Sequence, residues 1–189
     1  MDMQSTDLLC RSPDMTADVT PYEIGAGKNL RLTWANDMKI SPYQDIAAMG
    51  PCAFWIAPRN STGVGKVWSK IYEYDNDGTD SATWCSESIN AKGLFDIVIP
   101  SNIPSGEYIL RSEIVDLTNA YVSNYDDFTM GPRVYSGCVV IDVTGGDDTP
   151  LKNPVSILDV YKPYNKTPMF LKNAKAAGFK LPGPAPYTT

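Results

Sequence analysis

The side chains that could carry chemistry in this sequence are carboxylates, thiols, phenols and asparagine amides, because its 189 residues include no histidine. That removes Ser-His-Asp and Cys-His nucleophile pairs, and the histidine-based zinc protease and deaminase signatures with them. Glu107, Glu113, Asp116, Asp126 and Asp127 include acids near one loop. Two of them at a fixed separation across a cleft would suit glycoside hydrolysis, although solvated strand and loop acids account for the same residues. Glu73-Tyr74-Asp75-Asn76-Asp77-Gly78 imitates the first half of a calcium loop, but the twelfth position is Trp84, where bidentate ligation needs Glu. An Asp-Gly turn is the plainer account. Asn60-Ser61-Thr62 and Asn165-Lys166-Thr167 are N-glycosylation acceptors if the chain is secreted. Tyr161, Tyr164, Phe179 and Tyr187 offer aromatic faces to a sugar ring; Tyr161 and Phe179 suit pinning the tail, which leaves Tyr164 and Tyr187 as candidate carbohydrate contacts.

Four cysteines, Cys10, Cys52, Cys85 and Cys138, form no Cys-x-x-Cys pair, so zinc-ribbon and thioredoxin chemistry is unavailable. Two disulfides are the natural reading, in any of three connectivities, with buried free thiols as the alternative. Sixteen Lys and Arg against 22 Asp and Glu give a net charge of −6, with no dense basic run, which argues against nucleic acid as a partner. No apolar stretch approaches the ~20 residues of a membrane span. Met1 to Asp7 carries neither the basic nor the apolar region of a signal peptide, which taken literally reads as cytosolic.

The elements that must position these groups are strands. Leu30 to Trp34, Cys52 to Ala57, Val67 to Tyr74, Phe95 to Ile99, Tyr108 to Val115 and Val134 to Val143 are rich in β-branched and aromatic residues, between turns built on Gly, Pro and Asn. Arg11 to Asp14 and Gly25 to Asn29 read as turns, and residues 36–49 as a loop. With no convincing long amphipathic helix, the pattern predicts one all-β domain over residues 1–189, an immunoglobulin/fibronectin-like antiparallel β-sandwich with long loops. Residues 145–189 hold seven of the 15 prolines and read as an irregular tail, with a helical turn over Met169 to Ala177 stopped by Gly178.

The run GEYILRSEIVDL, followed by GPRVYSGCVVIDVTG, resembles the C-terminal core of the fungal lytic polysaccharide monooxygenases of auxiliary activity family nine. The likeness continues in Leu8-Leu9-Cys10, Gly50-Pro51, Lys66 to Tyr72, Trp84-Cys85, Ile99-Pro100 and Pro182-Gly183-Pro184. It implies a secreted, extracellular, monomeric protein acting on cellulose or another wall polysaccharide, with the tail wrapping the sandwich. It also implies a disulfide from Cys10 to Cys138, which leaves Cys52 for Cys85. The family's first, His-led strand has no counterpart here, so one sheet edge is expected to be exposed.

The resemblance further implies copper, held by an N-terminal His and a second His just before a Gly-Pro pair. Imidazole nitrogen suits copper in both redox states. In this sequence the second His falls at Ala48, an outer-shell His at Thr118 and an oxygen-positioning Gln at Arg133; the axial Tyr is kept as Tyr135. No cofactor is expected from such a set, and the expectation is a non-enzymatic polysaccharide-binding or accessory protein. An active copper monooxygenase and a structural scaffold are the alternatives.

Overall fold

The structure is a computed structural model that describes residues 5–10, 18–34, 50–75, 84–92, 94–121, 131–165, 167–169 and 179–187. Among the described residues seven strands are formed: β1 (Tyr22–Gly25), β2 (Asn29–Thr33), β3 (Cys52–Pro58), β4 (Ser69–Tyr74), β5 (Leu94–Val98), β6 (Gly106–Asp116) and β7 (Arg133–Thr144). Three α-helices accompany them there, α1 (Asp7–Cys10), α2 (Cys85–Lys92) and α3 (Ile157–Tyr161), with 3-10 turns at Arg59–Ser61 and Lys162–Asn165. The expected loop at 36–49, the turn at Arg11 to Asp14 and the helical turn after Met169 lie outside the described residues.

The strands make a five-stranded sheet in the order β1-β7-β6-β3-β4 and a two-stranded sheet, β2-β5, laid over it. The sandwich is mostly β, as the alternating strands require. One pairing departs from the antiparallel expectation, since β1 runs parallel to β7, with Tyr22 opposite Ile141 and Gly25 opposite Thr144. The physical reason lies in the next turn. Lys28 N–H donates to Gly25 O at 3.1 Å, with Gly27 at φ 75°, and Gly27 N–H donates to Ile99 O at 2.8 Å. The chain thereby leaves the large sheet at β1 and enters the small one at β2, and the left-handed backbone at position 27 favours glycine.

Each face of the large sheet has its own core. Between the sheets, Phe54, Ile56, Leu110 and Ile141 pack with Leu30 and Ile97, and Phe54 stacks on Phe95 at 5.1 Å. Behind it, Trp55, Trp68, Ile109 and Val134 pack with Leu8 of α1, with Ile157 and Tyr161 of α3, and with Phe179 and Leu181 of the tail. Burial on both faces explains the unbroken apolar run of β3, whose residues Cys52 to Ala57 are all buried. Disulfides join Cys10 to Cys138 and Cys52 to Cys85. The first fixes α1 to β7, and the second fixes α2 to the start of β3.

Candidate functional site

β6 and β7 pair over their whole length, bringing Asp116 opposite Arg133 and Ile114 opposite Tyr135. A tight turn follows β6: Thr118 N–H donates to Asp116 Oδ1 at 2.9 Å, and Ala120 N–H to Leu117 O at 3.1 Å. Gly131 N–H donates to Asn119 O at 3.1 Å, so the residues just before β7 dock on the turn just after β6. Pro51 O accepts from Val115 N–H at 2.9 Å, and a Cβ added at Gly50 would lie 1.8 Å from Val115 O. Only glycine permits that approach. Gly50-Pro51, Thr118, Arg133 and Tyr135 therefore share one end of the sheet.

Thr118 and Arg133 are exposed there, and Tyr135 is 41% exposed. Ala48, two residues before Gly50, lies outside the described residues. The set supplies a hydroxyl, a guanidinium and a phenol; the guanidinium stays protonated and has no lone pair to give a metal. Among the described residues, no three His, Cys, Asp or Glu side chains come close enough to hold a metal ion. With no imidazole anywhere in the 189 residues, this donor set does not fit a nitrogen-rich copper centre.

Among the described residues, the candidate carboxylates do not converge on a cleft. Glu107 pairs with Arg59 at 3.0 Å, at the opposite end of β6. Asp116 caps the Thr118 amide, and Asp126 and Asp127 lie outside the described residues. Glu113 is fully buried: Oε1 accepts from Trp55 Nε1–H at 2.7 Å and from the Tyr161 hydroxyl at 2.8 Å, while Oε2 accepts from Arg111 Nη1–H. Arg111, equally buried, also donates to the carbonyls of Leu8, at 2.8 Å, and Leu9, at 2.7 Å. Lys70 Nζ, also buried, donates to Glu73 Oε2 at 2.7 Å and to Pro182 O at 3.0 Å, and lies 4.9 Å from the centroid of the Trp55 ring. Burial, and then Glu113, hold the Tyr161 phenol well above its usual range. Glu73 is thus committed to Lys70; residues 76–83 of the calcium-like loop lie outside the described residues, and Trp84 at its twelfth position is buried.

Sequence reasoning did not find this buried knot. Its signal was present in β6, where Arg111 and Glu113 stand two apart, on one strand face, between the apolar runs Tyr108 to Leu110 and Ile114-Val115; charges placed in such a strand need partners.

Of the candidate sugar contacts, Tyr164 is half-buried and Tyr187 is only 7% exposed. Tyr187 is therefore no surface platform. Its N–H donates to Lys70 O at 2.6 Å and its hydroxyl to Asn102 O at 3.3 Å, so this ring fastens the tail. Tyr161 and Phe179 are buried in the core behind the large sheet.

The profile of Auxiliary Activity family 9 (formerly GH61) matches residues 1–177. AA9 family lytic polysaccharide monooxygenase B of Emericella nidulans is 30% identical over 187 residues, covering 97% of this chain and 50% of that protein. AA9 family lytic polysaccharide monooxygenase A of Armillaria gallica is 32% identical over 143 residues, covering 76% of this chain and 55% of that protein. The chain spans about half the length of the curated relatives it matches. Among solved structures, CvAA9A superposes with a TM-score of 0.87 at 28% identity, covering 98% of this chain and 84% of that one. Cel61B of Hypocrea jecorina superposes at 0.71 with 20% identity, a likeness of fold alone. On its match over residues 1–177, this chain belongs to Auxiliary Activity family 9.

Proposed function

We propose that this chain is an extracellular, monomeric, polysaccharide-binding member of its family that acts without a copper brace of its own. One observation carries the reading: the sheet end that the family resemblance assigns to copper bears Thr118, Arg133 and Tyr135, in a sequence without histidine. A segment preceding residue 1 could add one imidazole but would leave the second brace position as alanine at 48. Arg133 stands two residues from Tyr135 on the same strand face, where its fixed positive charge opposes a bound dication. Polysaccharide as the partner is supported by family membership and by Tyr135, whose exposed ring gives a pyranose an apolar surface. The two disulfides suit an oxidising compartment outside the cell.

A second reading, an active copper monooxygenase, is favoured by the 97% coverage of this chain by the Emericella relative. Calorimetric titration of the metal-free protein with Cu(II) separates the two. We expect no stoichiometric submicromolar site, no reductant-dependent release of oxidised oligosaccharides from cellulose, and retention of the protein on cellulose in a pull-down. A stoichiometric site weakened by Tyr135→Phe would establish the second reading. Failure to bind either copper or cellulose would leave the scaffold role.

A further inference from the structure

At the opposite end of the large sheet, a groove of about 750 Å³ opens where β3 ends and β6 begins. Pro58, Pro104, Tyr108 and Leu151 give it apolar walls, and the Arg59–Glu107 ion pair, 3.0 Å, gives it a polar side. Asn60 also lines it, as the middle residue of the 3-10 turn Arg59–Ser61. The turn is held by other atoms: Ser61 Oγ donates to Pro58 O at 2.6 Å and accepts from Gly63 N–H at 3.3 Å, and Thr62 N–H donates to Arg59 O at 3.2 Å. The exposed Asn60 side chain makes no hydrogen bond among the described residues.

From this placement we infer that Asn60 carries an N-linked glycan whose first sugars rest in the groove beside it. Asn60-Ser61-Thr62 is an acceptor triplet, and a pyranose matches the walls, its C–H face against Leu151 and the prolines and its hydroxyls toward Arg59 and Glu107. The acceptor hydroxyl is bonded to a carbonyl in both triplets, Thr62 to Ser61 O at 2.6 Å and Thr167 to Pro163 O at 2.8 Å, but Asn60 is exposed whereas Asn165 is half-buried. Attachment consumes a lipid-diphosphate-linked oligosaccharide. The Asn60 amide nitrogen bonds to the anomeric carbon, the bond from that carbon to the diphosphate oxygen breaks, and the amide gives up one proton as the lipid diphosphate leaves. β6 separates the groove from Thr118 and Tyr135 by roughly 30 Å, so the glycan leaves that end of the sheet open.

The inference rests on the extracellular location proposed above, and its test keeps the two apart. The full chain is secreted from a eukaryotic host and mapped by peptide mass spectrometry with and without amidase release of N-glycans. The peptide holding Asn60 is expected to carry the glycan and the peptide holding Asn165 to be bare. Asn60→Gln is expected to lose the modification, to speed hydrogen exchange in the peptide over 104–108, and to lower Tm by about 2–4 °C. Leu151→Ser, still glycosylated, is expected to show the same faster exchange. A secreted protein with Asn60 bare, or with glycan on Asn165 in its place, would overturn the inference without touching cellulose binding. Equal exchange in the glycosylated and Asn60→Gln proteins would overturn the seating in the groove.

Discussion

Two regions of the large sheet, one behind its middle and one at its end, bear differently on the family likeness. Behind the middle, Arg111, Glu113, Lys70 and Trp55 tie the sheet to the carbonyls of α1, to the Tyr161 hydroxyl of α3 and to Pro182 of the tail. The motifs that carry the resemblance, LRSEI and KVWSKIY, supply three of those four residues. At the end, Thr118, Arg133 and Tyr135 face solvent, and in the reading proposed above only Tyr135 keeps the type that the resemblance implies. On that reading, the difference teaches that a family likeness can be carried by what holds a fold together while the site at its rim changes type. Buried charges tolerate little substitution, because each loses its partner when one is removed; exposed residues at a sheet end carry no such constraint.

The sharpest way to break that comparison is Glu113→Ala, which leaves the Arg111 guanidinium buried without its carboxylate and the Trp55 and Tyr161 donors without an acceptor. The expected cost is about 3–5 kcal/mol in a urea denaturation. Arg111→Met combined with Glu113→Gln is expected to cost less than the two single changes summed. A loss below about 1 kcal/mol for Glu113→Ala would mean that the knot does not hold the layers together.

A middle-sized effect is expected from Tyr161→Phe, which deletes one hydrogen bond to a charged acceptor and costs about 1.5–3 kcal/mol. The same residue gives a pH dependence of known sign. Its phenol is held above the ordinary value of 10.0 in the folded state, so its contribution is complete below that pH and is lost as pH rises beyond it, where the unfolded chain ionises first. Denaturation midpoints above pH 10 should therefore fall more steeply in the native protein than in Tyr161→Phe.

The smallest stability effect is expected at the sheet end. Tyr135→Ala removes a ring that is 41% exposed, and should change stability by about 1 kcal/mol or less while reducing retention on cellulose. A large loss of stability with unchanged retention would reverse the assignment, making Tyr135 a packing residue.

What was legible follows from pattern length. β6 and β7 announce themselves through long β-branched runs. β1 is only Tyr22-Glu23-Ile24-Gly25, too short to show a period, and its parallel pairing is decided by the turn at Gly27. α2 has one strongly apolar residue, Ile89, and so no apolar stripe to betray it. α3, Ile157-Leu158-Asp159-Val160-Tyr161, falls within the stretch expected to be an irregular tail; Ser156 Oγ, accepting from Asp159 N–H at 3.4 Å, caps it as a helix. The family resemblance singled out Thr118, Arg133 and Tyr135, which the structure places at one exposed end of the sheet, whereas the burial of Tyr187 depends on how the tail lies over Lys70, which no local pattern encodes. The fate of Glu113 was hidden for the same reason: α1 and α3, distant in sequence, cover its strand face.

The parallel ladder between β1 and β7 also sets an order in time. Tyr22 has no strand partner until Ile141, more than a hundred residues later, has been made. Such distant pairing belongs to topologies that fold in milliseconds to seconds rather than microseconds. Until then the free side of β7 presents unpaired amides and carbonyls, with Val139 beside them still 42% exposed in the finished fold. Nascent chains should thus be most prone to aggregate in the interval between completion of the β6–β7 hairpin and arrival of β1, and a strand-breaking substitution such as Ile24→Pro should lengthen that interval.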